Sequence, residues 1–194
     1  KSAGINCAET RVITAGSKYH TLLSKRFDRN EAGKRIHFAS AMTMLGLTDG
    51  QNASTGNGYL DIVDFILQGC CDVEKNLQEL YRRVAFNIAI GNTDDHFRNH
   101  GFLLTPKGWT LSPAYDLNPT LAREQSLLIN AYTTESNLDI LLDSCDDYMI
   151  SSKVAGSIIC EVKDSMSAWS KLATSIGLSL TEQNMFKDRF DLTL

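Results

Sequence analysis

The sequence predicts a mainly α-helical α+β fold, with one small β-hairpin beside its most polar loop and a short β remnant at the N-terminus. Three observations carry this. Leu77, Leu80, Tyr81, Val84, Ala85, Ile88 and Ala89 recur at helical spacing, the mark of a helix with a buried face. Phe102-Leu103-Leu104 and Trp109-Thr110-Leu111 flank Thr105-Pro106-Lys107-Gly108, two short strands around a good turn. The chain beyond residue 137 carries further helical stripes.

Taken in order, Thr10 to Ile13 and Thr21 to Ser24 are rich in β-branched and apolar residues around the turn Ala15-Gly16-Ser17-Lys18, which predicts a hairpin. Its second strand runs into Lys25-Arg26-Phe27-Asp28-Arg29, and a polar loop with Gly33 follows. Phe38 to Leu45 is small and apolar and reads as a short helix ending at Gly46. Thr48 to Gly58, rich in Asn, Ser, Thr and Gly, is a surface loop. Tyr59 to Leu67 is a helix ending at Gly69, and Asp72 is placed to cap the next one. From Val84 to Ile90 only Asn87 is polar, so this is the central buried helix, stopped by Gly91. Ser112-Pro113 ends the second hairpin, and Tyr115-Asp116-Leu117-Asn118-Pro119 is a loop. Leu138 to Cys145 and Ser151 to Ala173 are helical, Gly177 caps the latter, and a last helix from Ser179 or Thr181 reaches Phe190. Leu77, Leu80, Tyr81, Val84 and Trp169 are assigned to the core, with Met42 and Met44 as packing residues.

Composition narrows the class. A chain of 194 residues, 43% apolar and 22% charged, suits one domain or two small lobes with an ample core. A net charge of -4 gives no broad basic footprint, so direct nucleic-acid binding is not expected. Lys25, Arg26, Arg29, Lys34 and Arg35 form either a local basic patch or a solvated turn. The five cysteines are odd in number and mostly far apart. They read as reduced thiols of a cytoplasmic protein, without a zinc pattern. No apolar run approaches the roughly 20 residues that cross a bilayer, and no signal peptide is expected. The first residue is Lys, which reads as entry into the middle of a longer protein.

The chemistry concentrates in Gly91-Asn92-Thr93-Asp94-Asp95-His96-Phe97-Arg98-Asn99, followed across the hairpin by Tyr115-Asp116. Asp94 and Asn99 have the D-x-x-x-x-N spacing of the protein-kinase catalytic loop, and kinases place a metal-holding Asp further on. Phosphoryl transfer needs in-line placement, charge neutralisation and a proton acceptor. A loop carboxylate such as Asp94 can orient a hydroxyl and take its proton. Mg²⁺ prefers hard oxygen ligands and keeps several waters, so Asn99 and Asp116 suffice when ATP phosphates supply the rest. His96 either orients the loop, contacts phosphate or is structural. Asp95 complements Arg98 or caps a turn, and His100 is structural. Asn92 and Thr93 are expected to hydrogen-bond the loop backbone. On spacing alone, a polar Asx-rich loop that caps helices is the competing reading.

The wording of the motif adds a resemblance. The run from Phe86 to Phe102, and Trp109 through Pro119, closely resemble the HipA family of serine/threonine kinases. Leu22-Leu23-Ser24-Lys25-Arg26-Phe27-Asp28-Arg29 is similar to that family's hinge strand. The resemblance runs from about Cys7 to the C-terminus. It implies a kinase-like C-terminal lobe over residues 30–194, with residues 1–29 as a remnant of N-lobe and hinge strands. It implies transfer of the γ-phosphoryl group of ATP to a protein hydroxyl by a bacterial toxin, restrained by a DNA-binding antitoxin. Asp94 would accept the proton, Asn99 and Asp116 would hold Mg²⁺, and His96 would lie near the phosphates with Tyr115 beside the metal Asp. Lys25, Arg26 and Phe27 would line the adenine side, although Lys25 stands where a relative has an acidic residue. Family members carry an upstream lobe with a phosphate-binding loop, a nucleotide-contacting lysine and a regulatory serine. None is found in this sequence, and Gly56-Asn57-Gly58 is no substitute. Weak ATP binding and poor transfer by this chain alone are therefore expected. Two other readings remain: a binding module that docks an antitoxin or other partner without catalysis, and a metal-dependent hydrolase built on Asp94, Asp95, His96 and Asp116.

Overall fold

A computed structural model describes residues 1–15, 19–120, 122 and 124–191. The N-terminal hairpin pairs β1 (Thr10–Ala15) with β2 (Tyr19–Ser24) in antiparallel register, from Thr10 opposite Ser24 to Ala15 opposite Tyr19. The turn expected at Ala15-Gly16-Ser17-Lys18 lies mostly outside the described residues. A second, three-stranded antiparallel sheet has the order β3 (Phe38–Ser40), β4 (Gly101–Thr105), β5 (Gly108–Leu111).

Around this sheet lie α1 (Ala41–Met44), α2 (Tyr59–Gly69), α3 (Val73–Ile90), α4 (Leu138–Asp143), α5 (Ser152–Met166), α6 (Trp169–Ser175) and α7 (Leu180–Asp191). Helix α3 is the axis of the lobe and packs against α2, α4, α5 and β5. Leu80, Tyr81, Val84, Ala85 and Ala89 are fully buried, as their stripe predicts. Each large apolar side chain so removed from water contributes roughly 1.5–3 kcal/mol. Tyr81 donates to Leu141 O at 3.0 Å, which ties α4 to this axis. Gly91 closes α3 in the left-handed region, φ +67°, where glycine carries no Cβ penalty.

Four expectations need correction. Phe38 to Ser40 is a strand, because it finds Gly101–Leu103 as a partner, and the helix is only Ala41–Met44. Asp72 precedes α3 but has φ +48° and makes no capping bond. Asn76, in the first turn, donates back to Cys71 O at 2.7 Å and Asp72 O at 3.2 Å, which braces the entry to the helix without capping its free amides. The stretch from Ser151 to Ala173 divides after Met166. The Ser165 and Ser167 hydroxyls donate back to Val162 O and Asp164 O, both at 2.7 Å, a local alternative that weakens a helix interior. Trp169 is only half-buried and packs edge-on against Phe190, at 5.0 Å between ring centroids.

Helix α2 begins where the chain touches another segment very closely. Tyr59 N donates to Leu128 O at 2.9 Å, and Asp61 Oδ2 accepts from Gly58 N at 2.8 Å. A Cβ on Gly58 would lie 2.4 Å from Leu128 O, and backbone cannot rotate away as a side-chain tip can. Gly58→Ala is expected to cost about 1–3 kcal/mol through overpacking, with Tm falling roughly 2–4 °C for each kcal/mol. A melting curve superimposable on that of the parent protein would refute the close approach.

Candidate active site

The chain leaves α3 at Gly91 and enters a loop whose residues divide between core and solvent. Asp95, Phe97, Asn99 and His100 are buried, whereas Asp94 and Arg98 are exposed. Asp95 Oδ2 accepts from Tyr59 OH at 2.8 Å and from Asn87 Nδ2 at 2.8 Å, and lies 2.7 Å from His100 Nε2. Burial holds the Tyr59 hydroxyl well above its usual pKa, so it stays protonated and donates. The first amides of α1 secure the other side of the loop: Ala41 N donates to His100 O at 2.7 Å and Met42 N to Phe97 O at 3.2 Å. Thr93 O accepts from Ser126 N at 3.0 Å and from Ser126 Oγ at 2.8 Å. Asp94 therefore sits on a fixed loop while its own carboxylate faces solvent. It makes no hydrogen bond or ion pair to another described residue.

The expectations for its neighbours are revised. Asp95 neither complements Arg98 nor caps a turn. Arg98 pairs with Asp49, and Asp95 is the acceptor of a buried cluster. The Asn92 and Thr93 side chains reach other side chains rather than loop backbone: Asn87 Oδ1 at 3.1 Å and Thr120 Oγ1 at 2.5 Å. His100 is structural, as expected. His96 donates its backbone N–H to Asn99 Oδ1 at 3.1 Å, and its Nδ1 is buried with no hydrogen-bond partner among the described residues.

The β4–β5 hairpin brings Asp116 back to this loop. Ser112 N donates to Gly101 O at 2.8 Å, and the buried Arg83 donates from Nη2 to Ser112 O at 2.7 Å. Ala114 is held on both sides by the N-terminal segment, through Asn6 O at 2.7 Å and Ala8 N at 2.9 Å. Asn99 Nδ2 donates to Asp116 Oδ2 at 2.7 Å. Asn118 Nδ2 donates to the other carboxylate oxygen, Oδ1, at 2.5 Å. Asp116 itself has φ +59°, a region that non-glycine residues enter rarely and often at functional sites.

A cleft of about 780 Å³ opens beside this pair, lined by Leu22, Ser24, Lys25, Arg26, Phe27, Asp28, Phe38 and Ala114 to Asn118 among others. That volume lies in the range of small-molecule sites. It gathers Lys25, Arg26, Phe27, Tyr115 and Asp116 into one surface. Asp94, His96 and Asn99 do not line it, and Asn99 joins it only through its bond to Asp116. The floor is aromatic: Phe27 stacks on Tyr115 with centroids 5.7 Å apart, and Phe38 meets both rings. Tyr115 OH donates to Arg98 O at 2.6 Å, and burial pushes its pKa up to about 12. Lys25 pairs with Glu9 at 3.1 Å, while Arg26 and Arg29 share Asp28 at 2.5 and 2.6 Å. Hydrogen bonding from Arg26 lowers the Asp28 carboxyl to about 2. Three of the five cations of the candidate basic patch are thus paired, between them with two carboxylates.

The donor set suits a hard divalent cation. Asp116 offers a carboxylate, whereas Asn99 shows it Nδ2 and keeps its Oδ1 on the His96 N–H; with that amide turned, the pair would supply a carboxylate and a carboxamide oxygen, which fits Mg²⁺ when a ligand and water complete the shell. It fits a two-metal hydrolase poorly, because Asp95 is turned into the core and committed to Tyr59, Asn87 and His100. The role of Asp95 as acceptor of a buried cluster is what sequence reasoning missed. Its partner Tyr59 is 36 residues away, and nothing local announces the pair. Asn118 was overlooked too, although its spacing two residues after Asp116 is a common Asx arrangement.

A helical lobe with a small antiparallel sheet at the end of its buried axis, an Asp-bearing loop and an Asp returned by a hairpin is the C-terminal lobe of a kinase-like fold. Comparison with known proteins narrows the class. The model of the HipA-like C-terminal domain matches residues 1–170, and the chain belongs to that family. The serine/threonine-protein kinase toxin HipA of Shewanella oneidensis is 31% identical over 134 residues, covering 60% of this chain and 31% of that protein. A putative kinase of Haemophilus influenzae is 27% identical over 126 residues, covering 60% of this chain and 37% of that protein. The chain thus spans about a third of the length of these curated relatives. Among solved structures, HipA in its complex with HipB and operator DNA, from Shewanella oneidensis, superposes with a TM-score of 0.80 at 19% identity. That match covers 100% of this chain and 51% of that one. The Helicobacter pylori proinflammatory kinase CtkA superposes with a TM-score of 0.64 at 13% identity, covering 99% of this chain and 78% of that one. These two likenesses concern the fold.

Proposed function

We propose that this chain supplies the hinge and C-terminal lobe of a serine/threonine protein kinase, which transfers the γ-phosphoryl group of ATP to a protein hydroxyl. The observation that carries the reading is the 2.7 Å contact between Asn99 and Asp116, with Asp116 opening onto the cleft. Residues 1–29 act as hinge and the last strands of an N-lobe, and residues 30–194 as the C-terminal lobe. The solvent-facing Val12 and Leu22 of the hairpin support that division. Phe27 and the backbone of Lys25 and Arg26 line the adenine side, over the ring of Tyr115. Asn99 and Asp116 hold Mg²⁺, which when bound neutralises phosphate charge. Asp94, on its braced loop, orients the acceptor hydroxyl and takes its proton. The unpartnered Nδ1 of His96 is buried and off the cleft lining, so His96 would meet a phosphate oxygen only if its ring turned outward.

The setting we favour is a cytoplasmic bacterial toxin with a DNA-binding antitoxin as partner, supported by the naming of the relatives as a kinase toxin and as HipA bound to HipB and operator DNA. Among the described residues no helix is long and apolar enough to cross a membrane. The test is metal-dependent nucleotide binding. Manganese with ADP should bind the chain measurably, and Asp116→Ala should weaken that by at least roughly a hundredfold. Equal affinity in the variant would end the proposal.

A further inference from the structure

The pairing of Asp116 carries one inference beyond the residues that define the proposed site, and it rests on that reading. Both carboxylate oxygens are taken by carboxamides: Oδ2 by Asn99 Nδ2 at 2.7 Å and Oδ1 by Asn118 Nδ2 at 2.5 Å. The two amides are held differently. Asn99 is buried, and its Oδ1 accepts the His96 N–H at 3.1 Å, so its amide can turn only by giving up that bond. Asn118 is exposed and lines the cleft, and its side chain makes only the bond to Asp116 among those described. A carboxamide in that position has two faces. Turned one way, its NH₂ gives a carboxylate a hydrogen-bond donor. Turned by half a rotation, it presents a hard oxygen to the space where a cation on that carboxylate would lie.

We infer that Asn118 is a third protein ligand of the divalent cation, its amide turning from donor to Asp116 in the ion-free chain to oxygen donor when the ion binds. The backbone supports this. Asp116 sits in the left-handed region at φ +59°, which folds the chain back so that residue 118 returns to the carboxylate two positions earlier. An extended residue at 116 would carry Asn118 away from it. With both amides turned, Asp116 would supply carboxylate oxygen and Asn99 and Asn118 carboxamide oxygen, the hard ligands that a divalent cation prefers.

The test is manganese binding followed by electron paramagnetic resonance of free Mn²⁺, in the presence of ADP, on this chain and on Asn118→Leu, Asn118→Ser and Asp116→Ala. Leucine keeps the volume of asparagine without an oxygen, and serine is too short to reach. Both sit at an exposed position, and their melting curves establish that they fold. The inference expects both Asn118 variants to bind Mn²⁺ at least roughly tenfold more weakly, the scale on which even a group one shell removed from a metal acts. If Asn118 merely holds Asp116 in the ion-free state, its removal frees that carboxylate, and affinity stays level or rises. Either result overturns the inference while leaving the Asn99–Asp116 site intact. If the unaltered chain fails to bind Mn²⁺, or Asp116→Ala leaves binding unchanged, the site itself is wrong and the inference falls with it.

Discussion

Asp95→Ala is expected to destabilise the protein by about 3–5 kcal/mol, the scale for removing one partner from a buried polar cluster. Asp95 is 1% exposed, and one of its oxygens faces Tyr59, Asn87 and His100 within 2.8 Å. Alanine would strand three buried groups at once. Each unsatisfied group costs about 1–3 kcal/mol, and water entering the space offsets part of the total. The loss is comparable to the whole stability of many domains. Urea unfolding should therefore show a much lower midpoint with an unchanged slope, or no folded baseline. Asp95→Asn, which keeps one acceptor oxygen, should fall between. A loss below about 1 kcal/mol in the alanine variant would mean that the cluster does not hold the loop. The consequence reaches the site, since the braced Asp95 is what leaves its neighbour Asp94 facing outward.

On the proposed function, and assayed with the nucleotide-binding lobe that the resemblance implies joined to this chain, Asp94→Asn is expected to lower the rate of phosphoryl transfer to a protein hydroxyl by about 10²–10⁴-fold, the usual contribution of a positioned base. Asparagine keeps the shape of aspartate and can still orient a hydroxyl, but it cannot take the proton. Asp94 is exposed, does not line the cleft, and makes no bond to another described residue. Stability and Mn²⁺–ADP affinity should then remain within about twofold of the parent protein, the pattern of a residue that acts in the transition state alone. Asp116→Ala should do the reverse, abolishing metal-dependent binding first. A transfer rate unchanged in Asp94→Asn would remove this residue from the chemistry. Loss of binding in that variant would recast it as part of the nucleotide site.

Much of this architecture is legible without coordinates. The stripe from Leu77 to Ala89 locates the buried axis, because one helix face must be apolar for 3.6-residue periodicity to bury it. Gly91 marks its end, and the residues around Pro106 mark the hairpin. Strand β3 was not legible. Phe38-Ala39-Ser40 is short and without distinctive alternation, and it becomes a strand only by pairing with residues more than sixty positions later. The break after Met166 was missed because the serine back-bonds that weaken the helix depend on rotamers that composition does not reveal. The eight residues singled out for the site divide in the same way. Lys25, Arg26, Phe27, Tyr115 and Asp116 meet in one cleft, and Asn99 touches Asp116, whereas Asp94 and His96 stand apart from that lining.

By itself the sequence determined the buried axis, helix α2 before it, the hairpins and the order Asp94, Asn99, Asp116, because periodicity, turn chemistry and motif spacing all act over a few residues. Only the tertiary structure decided which of two adjacent aspartates turns inward, and that the buried Asn99 meets Asp116 across the hairpin. The physical reason is that a buried polar group must be satisfied by whatever donor the fold brings to it. Donors such as Tyr59 are brought near by packing across the whole lobe, which no short stretch of chain encodes.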